Sequence, residues 1–322
     1  MRRIAAALAV WFCTAVPAFA QDAAGLPLVG VLRLGTAATS DLFAGLLRDA
    51  LAALGDVDGK NIRLDFRLAE GDTGRFPEMA EALVRKKASV IIAIGLPAAR
   101  AAQQATTTIP IVATVNDLVA SGLIASLARP GGNITGESHL VPELEAKKLE
   151  LLKGMLPAAR RFGVLKDRTG VLPGLLESIA DRARELGIEL ETVDVQSPAD
   201  LAIAIASLRS AGAEAVNVLN TTMMSSFRNE LGALLLEHKL PAICEWPFMA
   251  AAGCLASYGG SLRELAATLA YLTDKVLKGA RPADTPAQQP TKFELVINLK
   301  VARAIGIEIP QSILARADEV IE

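Results

Sequence analysis

The residues of this chain able to do chemistry are few, and they favour holding a small molecule over transforming one. Histidine occurs twice, at His139 and His238, and neither stands at a metal-ligand spacing from a cysteine or from the other. His238 follows Glu237 at the end of an expected helix, where a cation offsets the helix dipole. His139 falls near an expected crossing between domains, where it meets either solvent or ligand, and surface placement is the plainer expectation. No G-x-S-x-G nucleophile elbow occurs. The nearest thing to a phosphate loop runs from Gly55 to Asn61. It has three residues between its glycines instead of four, with Asn61 where Ser or Thr would bind magnesium. Gly131 to Gly136 lacks the dinucleotide spacing. No catalytic residue, metal or cofactor is expected, and a secreted hydrolase would lack its nucleophile–base pair.

The remaining polar residues gather where an apolar run ends and helical spacing begins. Thr36 and Ser40 follow the run Leu28 to Leu34; Gly95, Leu96, Pro97 and Ala98 follow Val90 to Ile94; Asn116 and Asp117 follow Ile111 to Val115. Helix starts at these turns offer free backbone N–H groups and a positive dipole end, which suit a ligand carboxylate. Ser40 and Asp117 also fit as ordinary helix caps. Further on stand Asn220 and Thr221, then Glu245 and Trp246, then Tyr258. Glu245 suits a ligand ammonium, against the alternative of a surface salt bridge. Trp246 either stacks on the ligand or fills a seam between domains.

Such turns need strands and helices to aim them, and the pattern supplies both. Apolar runs at Leu28 to Leu34, Ile62 to Leu68, Val90 to Ile94 and Ile111 to Val115 alternate with helical spacing at Leu42 to Leu54, Phe76 to Lys86, Ala98 to Thr106 and Val119 to Leu127. Alternation of this kind implies right-handed crossovers and a parallel sheet covered on both faces. Arg129-Pro130-Gly131-Gly132-Asn133 ends the series, and a second one occupies Glu143 to Tyr258. A last helix (Leu262 to Lys278), a Pro-rich stretch and a strand (Phe293 to Leu299) cannot form a domain alone. Shared between both units they make three crossovers and a hinge. The expected fold is α/β, two doubly wound parallel-sheet lobes with a ligand cleft between them: residues 26–138 plus 260–288 in lobe one, 139–259 plus 289–322 in lobe two.

Arg2 and Arg3, the apolar run Ile4 to Val16 and Pro17-Ala18-Phe19-Ala20 read as a cleavable secretory leader, residues 1–20, cut after Ala20. The mature protein is then periplasmic, and its run is too short to span a membrane. The 322-residue chain holds 33 basic and 35 acidic side chains; losing Arg2 and Arg3 leaves 31 against 35, a charge of −4. Nucleic acid, which asks for a basic face, is not an expected partner. Cys244 and Cys254 remain after processing. Export permits a disulfide, but ends of neighbouring parallel strands stand well apart, so two buried thiols are the plainer expectation.

Longer blocks carry a family resemblance: Ile109-Pro110-Ile111-Val112, Ser126 to Gly136, Leu240-Pro241-Ala242-Ile243, Ser257-Tyr258-Gly259 and Gln289 to Lys300. Through them nearly the whole mature chain resembles the ABC-transporter substrate-binding proteins, a family with tryptophan- and tyrosine-binding members. The resemblance implies a type I periplasmic binding fold, no catalysis and an importer as partner, through an ABC permease in the membrane; a small-molecule ligand and a monomeric binding protein are expected. It departs from the family pattern at Leu96, Leu118 and Cys254, where Thr, Pro and Gly are usual. Aromatic amino acids are therefore not carried over as ligands. The expected function is capture of a small amphipathic solute for an importer; the alternative is an exported sensor subunit for a membrane receptor, which neighbouring genes would separate.

Overall fold

The computed structural model describes residues 25–139, 141–167 and 174–322, apart from the side chains of residues 37–40 and Val141. In lobe one, β1 (Leu28–Arg33), α1 (Ala37–Ala53), β2 (Arg63–Leu68), α2 (Phe76–Arg85), β3 (Val90–Ile94), α3 (Leu96–Ala105), β4 (Ile111–Val115) and β5 (Ile134–Ser138) follow one another. Their strands form a parallel sheet in the order β2-β1-β3-β4-β5. β1, β3 and β4 are continuous apolar runs because helices cover both faces, and they are buried almost throughout.

Lobe two holds α4 (Val141–Met155), β6 (Arg161–Asp167), α5 (Leu175–Glu185), β7 (Glu189–Val195), α6 (Leu201–Ser210) and β8 (Ala215–Val218). Next come α7 (Thr222–Ser226), α8 (Arg228–Glu237), β9 (Ala242–Cys244), α9 (Pro247–Ala252) and β10 (Ala256–Gly260). The chain then returns to lobe one as α10 (Leu262–Leu277), packed on α1, β3, β4 and β5. It crosses again to β11 (Phe293–Asn298), α11 (Leu299–Ile305), α12 (Gln311–Leu314) and β12 (Glu319–Ile321). The second sheet runs β12-β11-β10-β9-β8-β6-β7, parallel except where β11 lies antiparallel to β10. The result is two α/β lobes, mostly parallel, joined by three short crossovers.

Several expectations need correction. No helix spans 119–127: Leu118, Leu123 and Ile124 are buried from irregular turns, because Gly122 takes a left-handed φ of 67° and diverts the chain after one turn. In the second series, residues 222–237 form two helices, α7 and α8, that break at Phe227. β5 was not expected, since its residues directly follow a Pro-Gly-Gly loop. Cys244 and Cys254 are disulfide-bonded, with Cα atoms 6.3 Å apart. β9 is only three residues long, so its exit lies close to where β10 begins; Ser257 already pairs with Cys244.

The Arg129 to Gly136 block acts through its backbone and the Asn133 side chain. The Gly131 N–H donates to the Ala283 carbonyl, and the Asn133 side chain donates to the carbonyls of Thr106 and Ile109. Gly136 pairs with Ala113 so closely that an added Cβ would sit 1.7 Å from the Ala113 oxygen. Backbone cannot step aside as a side chain can. Gly136→Ala should therefore cost about 3 kcal/mol, as overpacking does, read as a lowered urea midpoint at unchanged slope.

Candidate functional site

The carboxyl ends of both parallel sheets face one another and enclose a cavity of about 330 Å³, within the range of small-molecule sites. Lobe one contributes Arg33 and Leu34 from the end of β1, Ile94 and Gly95 from β3, and Val115 and Asn116 from β4, together with Phe43 of α1. The order β2-β1-β3 makes β1 and β3 the switch point of this sheet, where a ligand crevice opens. Lobe two contributes Asp167 at the end of β6, Gln196 and Ser197 after β7, Asn220 and Thr221 after β8, and Trp246 after β9.

The lobes touch across this cavity. The Asn116 amide donates to the Asn220 carbonyl at 3.2 Å. Gly95, at φ 89°, approaches so closely that a Cβ there would lie 2.2 Å from Thr222 Oγ1. A Cβ on Gly71 would lie 2.9 Å from the ring of Phe227. The arrangement is thus a closed one, and glycine permits it. On the lobe-two wall Trp246 stacks nearly parallel on Phe248, with centroids 6.1 Å apart, while its indole N–H donates to Asn220 Oδ1 at 3.1 Å. That bond fixes the indole plane and leaves a flat apolar face.

Beneath Trp246 lies a buried polar cluster at the crossovers. His139 is buried, meets the Trp246 ring edge-on and shares a 3.1 Å hydrogen bond with Thr114 Oγ1. Its Nδ1 is 3.7 Å from Glu245 Oε1. Glu145 and Lys148, both fully buried, pair at 2.7 Å; Lys148 also donates to the Val218 carbonyl and Asn217 donates to Glu145. Neither Glu245 oxygen meets a partner at hydrogen-bonding geometry. Burial pushes its carboxyl up to about 8; Lys148 and the Asn220 side chain oppose the shift, and Glu145 and Glu137 add to it. Burial likewise raises Glu137 to about 7, opposed by the Thr268 hydroxyl and aided by Glu264. Burial alone lowers His139 to about 4.

Such a site has a binding architecture, and comparison with known proteins agrees. The family model described as ABC transporter substrate binding protein matches residues 34–321. The chain is a member of the ABC transporter substrate-binding proteins. A tyrosine-binding protein of Clostridioides difficile is 30% identical to it over 261 residues, 80% of this chain and 75% of that one. A Streptococcus pneumoniae ABC domain solved in complex with L-Trp superposes with a TM-score of 0.84 at 28% identity, over 92% of this chain and all of that one. A conserved domain protein of Vibrio cholerae gives 0.85 at 28% identity, over 91% and 99% of the two chains. Substrate-binding proteins of ABC transporters work outside the cytoplasmic membrane. Among the described residues no helix is long and apolar enough to cross one.

Of the residues expected to touch ligand in this substrate-binding protein, Gly95, Leu96, Pro97, Asn116, Asn220, Thr221 and Trp246 line the cavity. Ala98 is instead fully buried in the lobe-one core, because α3 turns it inward. Asp117 accepts from the N–H groups of Val119 and Ala120 and serves as a cap. Glu245 lies beneath the cavity floor, turned away from it. Tyr258 stacks on Phe293, half-buried against the lobe-two core, and is not among the lining residues. Thr36 is half-buried and is not among the lining residues; the side chain of Ser40 lies outside the described residues. His139, expected at the surface, is buried and reaches the cavity wall.

The buried carboxyls carry a pH signature. A folded pKa above the unfolded one stabilises the protein while the group stays protonated, and that stability is lost as pH rises through the folded value. For Glu245 the window runs from 4.5 to about 8 and for Glu137 from 4.5 to about 7. His139 acts oppositely, but only below pH 6.5, where the unfolded chain takes up its proton. Between pH 6.5 and 8 the carboxyls act alone. Stability should fall there by about 2 kcal/mol, seen as a declining thermal midpoint, and Glu245→Gln should flatten the decline.

Proposed function

We propose that this protein is the periplasmic solute receptor of an ABC importer, freed from its leader after Ala20 and acting as a monomer that delivers its ligand to a membrane permease. The observation that carries the reading is the closed cavity of about 330 Å³ built from strand ends of both lobes. Three crossovers let the lobes part and meet again by hinge motion, and closure creates a surface for the permease to recognise. Gly95, Leu96, Pro97 and Asn116 would contact the solute from lobe one, and Asn220, Thr221 and Trp246 from lobe two.

The solute is a small amphipathic molecule with a flat apolar part, an amino acid or related carboxylate. Tyrosine and tryptophan in the relatives have this character, and the stacked Trp246–Phe248 wall suits it here. Leu96 and Pro97 open α3 with an apolar step, which adds to the apolar surface at the mouth of that helix.

Trp246 is the only tryptophan after residue 20 and lies in the cavity wall, so binding is expected to change its fluorescence. Titration of purified protein with amino acids and aromatic carboxylates, checked by calorimetry, should give saturable binding at one site. Replacing Gly95 by Ala should weaken that binding at least tenfold, because the added methyl opposes lobe closure. No response to any solute class would overturn the reading.

A further inference from the structure

Arg33 ends β1 as the one charged residue of a strand otherwise buried and apolar. Its guanidinium lies over the Phe43 ring, 5.1 Å from the centroid, and lines the cavity. Nη1 is fully buried without a hydrogen-bond partner. Among the described residues no carboxylate comes within ion-pairing distance of this guanidinium. Asp72 and Asp167 line the same cavity, yet neither pairs with it; Asp72 accepts instead from the Gly74 N–H. A buried guanidinium left unmatched is costly.

A second cation stands opposite, on the other lobe. Arg228 opens α8, lies 5.1 Å over the Phe248 ring and, among the described residues, donates to the Ser225 carbonyl alone. Phe248 and Ser225 both line the cavity. The two neighbourhoods meet directly: the Gly71 N–H bonds to the carbonyl of Leu34, next to Arg33, and Gly71 abuts Phe227, next to Arg228. Burial first, and then the charge of Arg228, lower Arg33 to about 10. Closing the lobes therefore brings two like charges together in a poorly hydrated space, which opposes closure unless a negative charge joins them.

We propose that Arg33 and Arg228, one from each lobe, together bind the anionic group of the solute, so that this protein selects carboxylate-bearing molecules and closes around their negative charge. The proposal rests on the solute-receptor reading and names its substrate class. The planar fork of Arg33 suits a carboxylate in bidentate fashion. Phe43 and Phe248, each beneath one guanidinium, hold the forks in place. The anion is the element that both lobes share, while the Trp246 face takes the apolar body.

Calorimetry with three probes tests it: L-tyrosine, its decarboxylated amine tyramine, and 3-(4-hydroxyphenyl)propionate, which keeps the acid and lacks the ammonium. The two acids should bind, and tyramine should bind at least a hundredfold more weakly than either. Arg33→Gln should weaken the acids by a hundredfold or more, Arg33→Lys should restore part of that loss, and Arg228→Gln should cost about tenfold. Circular dichroism melts separate a folded variant that no longer binds from one that has unfolded. Tyramine binding as tightly as the acids, or acids unaffected by Arg33→Gln in a folded variant, would overturn the proposal and leave the solute-receptor reading standing. Silence from all three probes alongside binding of a neutral or cationic solute would also overturn it. Silence from every solute tried would remove both.

Discussion

Charge taken out of water sets the terms for this molecule. Where the chain passes between lobes, Glu137, His139, Glu145, Lys148 and Glu245 are all buried. Two of them, Glu145 and Lys148, form an ion pair and draw in Asn217 and the Val218 carbonyl. The others avoid charge: the carboxyls hold their protons to higher pH and the imidazole stays neutral. A joint made of such groups tolerates few arrangements, because each displacement exposes or strands a polar atom. The lobes are consequently constrained in how they meet, and the cavity inherits its shape from that constraint.

Above the joint the cavity depends on what is missing from two residues as much as on what is present. Gly95 and Gly71 let backbone from lobe one come against Thr222 and Phe227 of lobe two. The neighbouring strand ends then lie within reach of one ligand. Trp246 links the two levels, since its ring meets His139 of the joint and also lines the cavity. Joint and cavity are therefore in contact through Trp246 and through His139, which itself reaches the cavity wall.

Much of the architecture is legible in the sequence, because buried parallel strands must be apolar runs and helices must supply spaced apolar faces. The strand ends that face the cavity follow from the same logic, and so do Asn116, Asn220 and Trp246. Side-chain direction does not. Glu245 and Trp246 are consecutive at the end of a strand, so they point opposite ways, and nothing in the order of letters says which one faces the ligand. Arg33 was overlooked although it leaves a signal: a lone cation closing an otherwise apolar run. Helix spacing at 119–127 misled, because the Ser121-Gly122-Leu123 turn buries the same leucines without a helix. The Cys244–Cys254 bridge was hidden by the brevity of β9, which a run of apolar letters does not reveal.

That bridge closes a ring whose members include Trp246 and Phe248. The loop is short and local, joining residues ten apart in the chain. Even a fully melted polypeptide keeps the aromatic pair confined within that small covalent loop, and renaturation begins with part of the recognition wall already corralled.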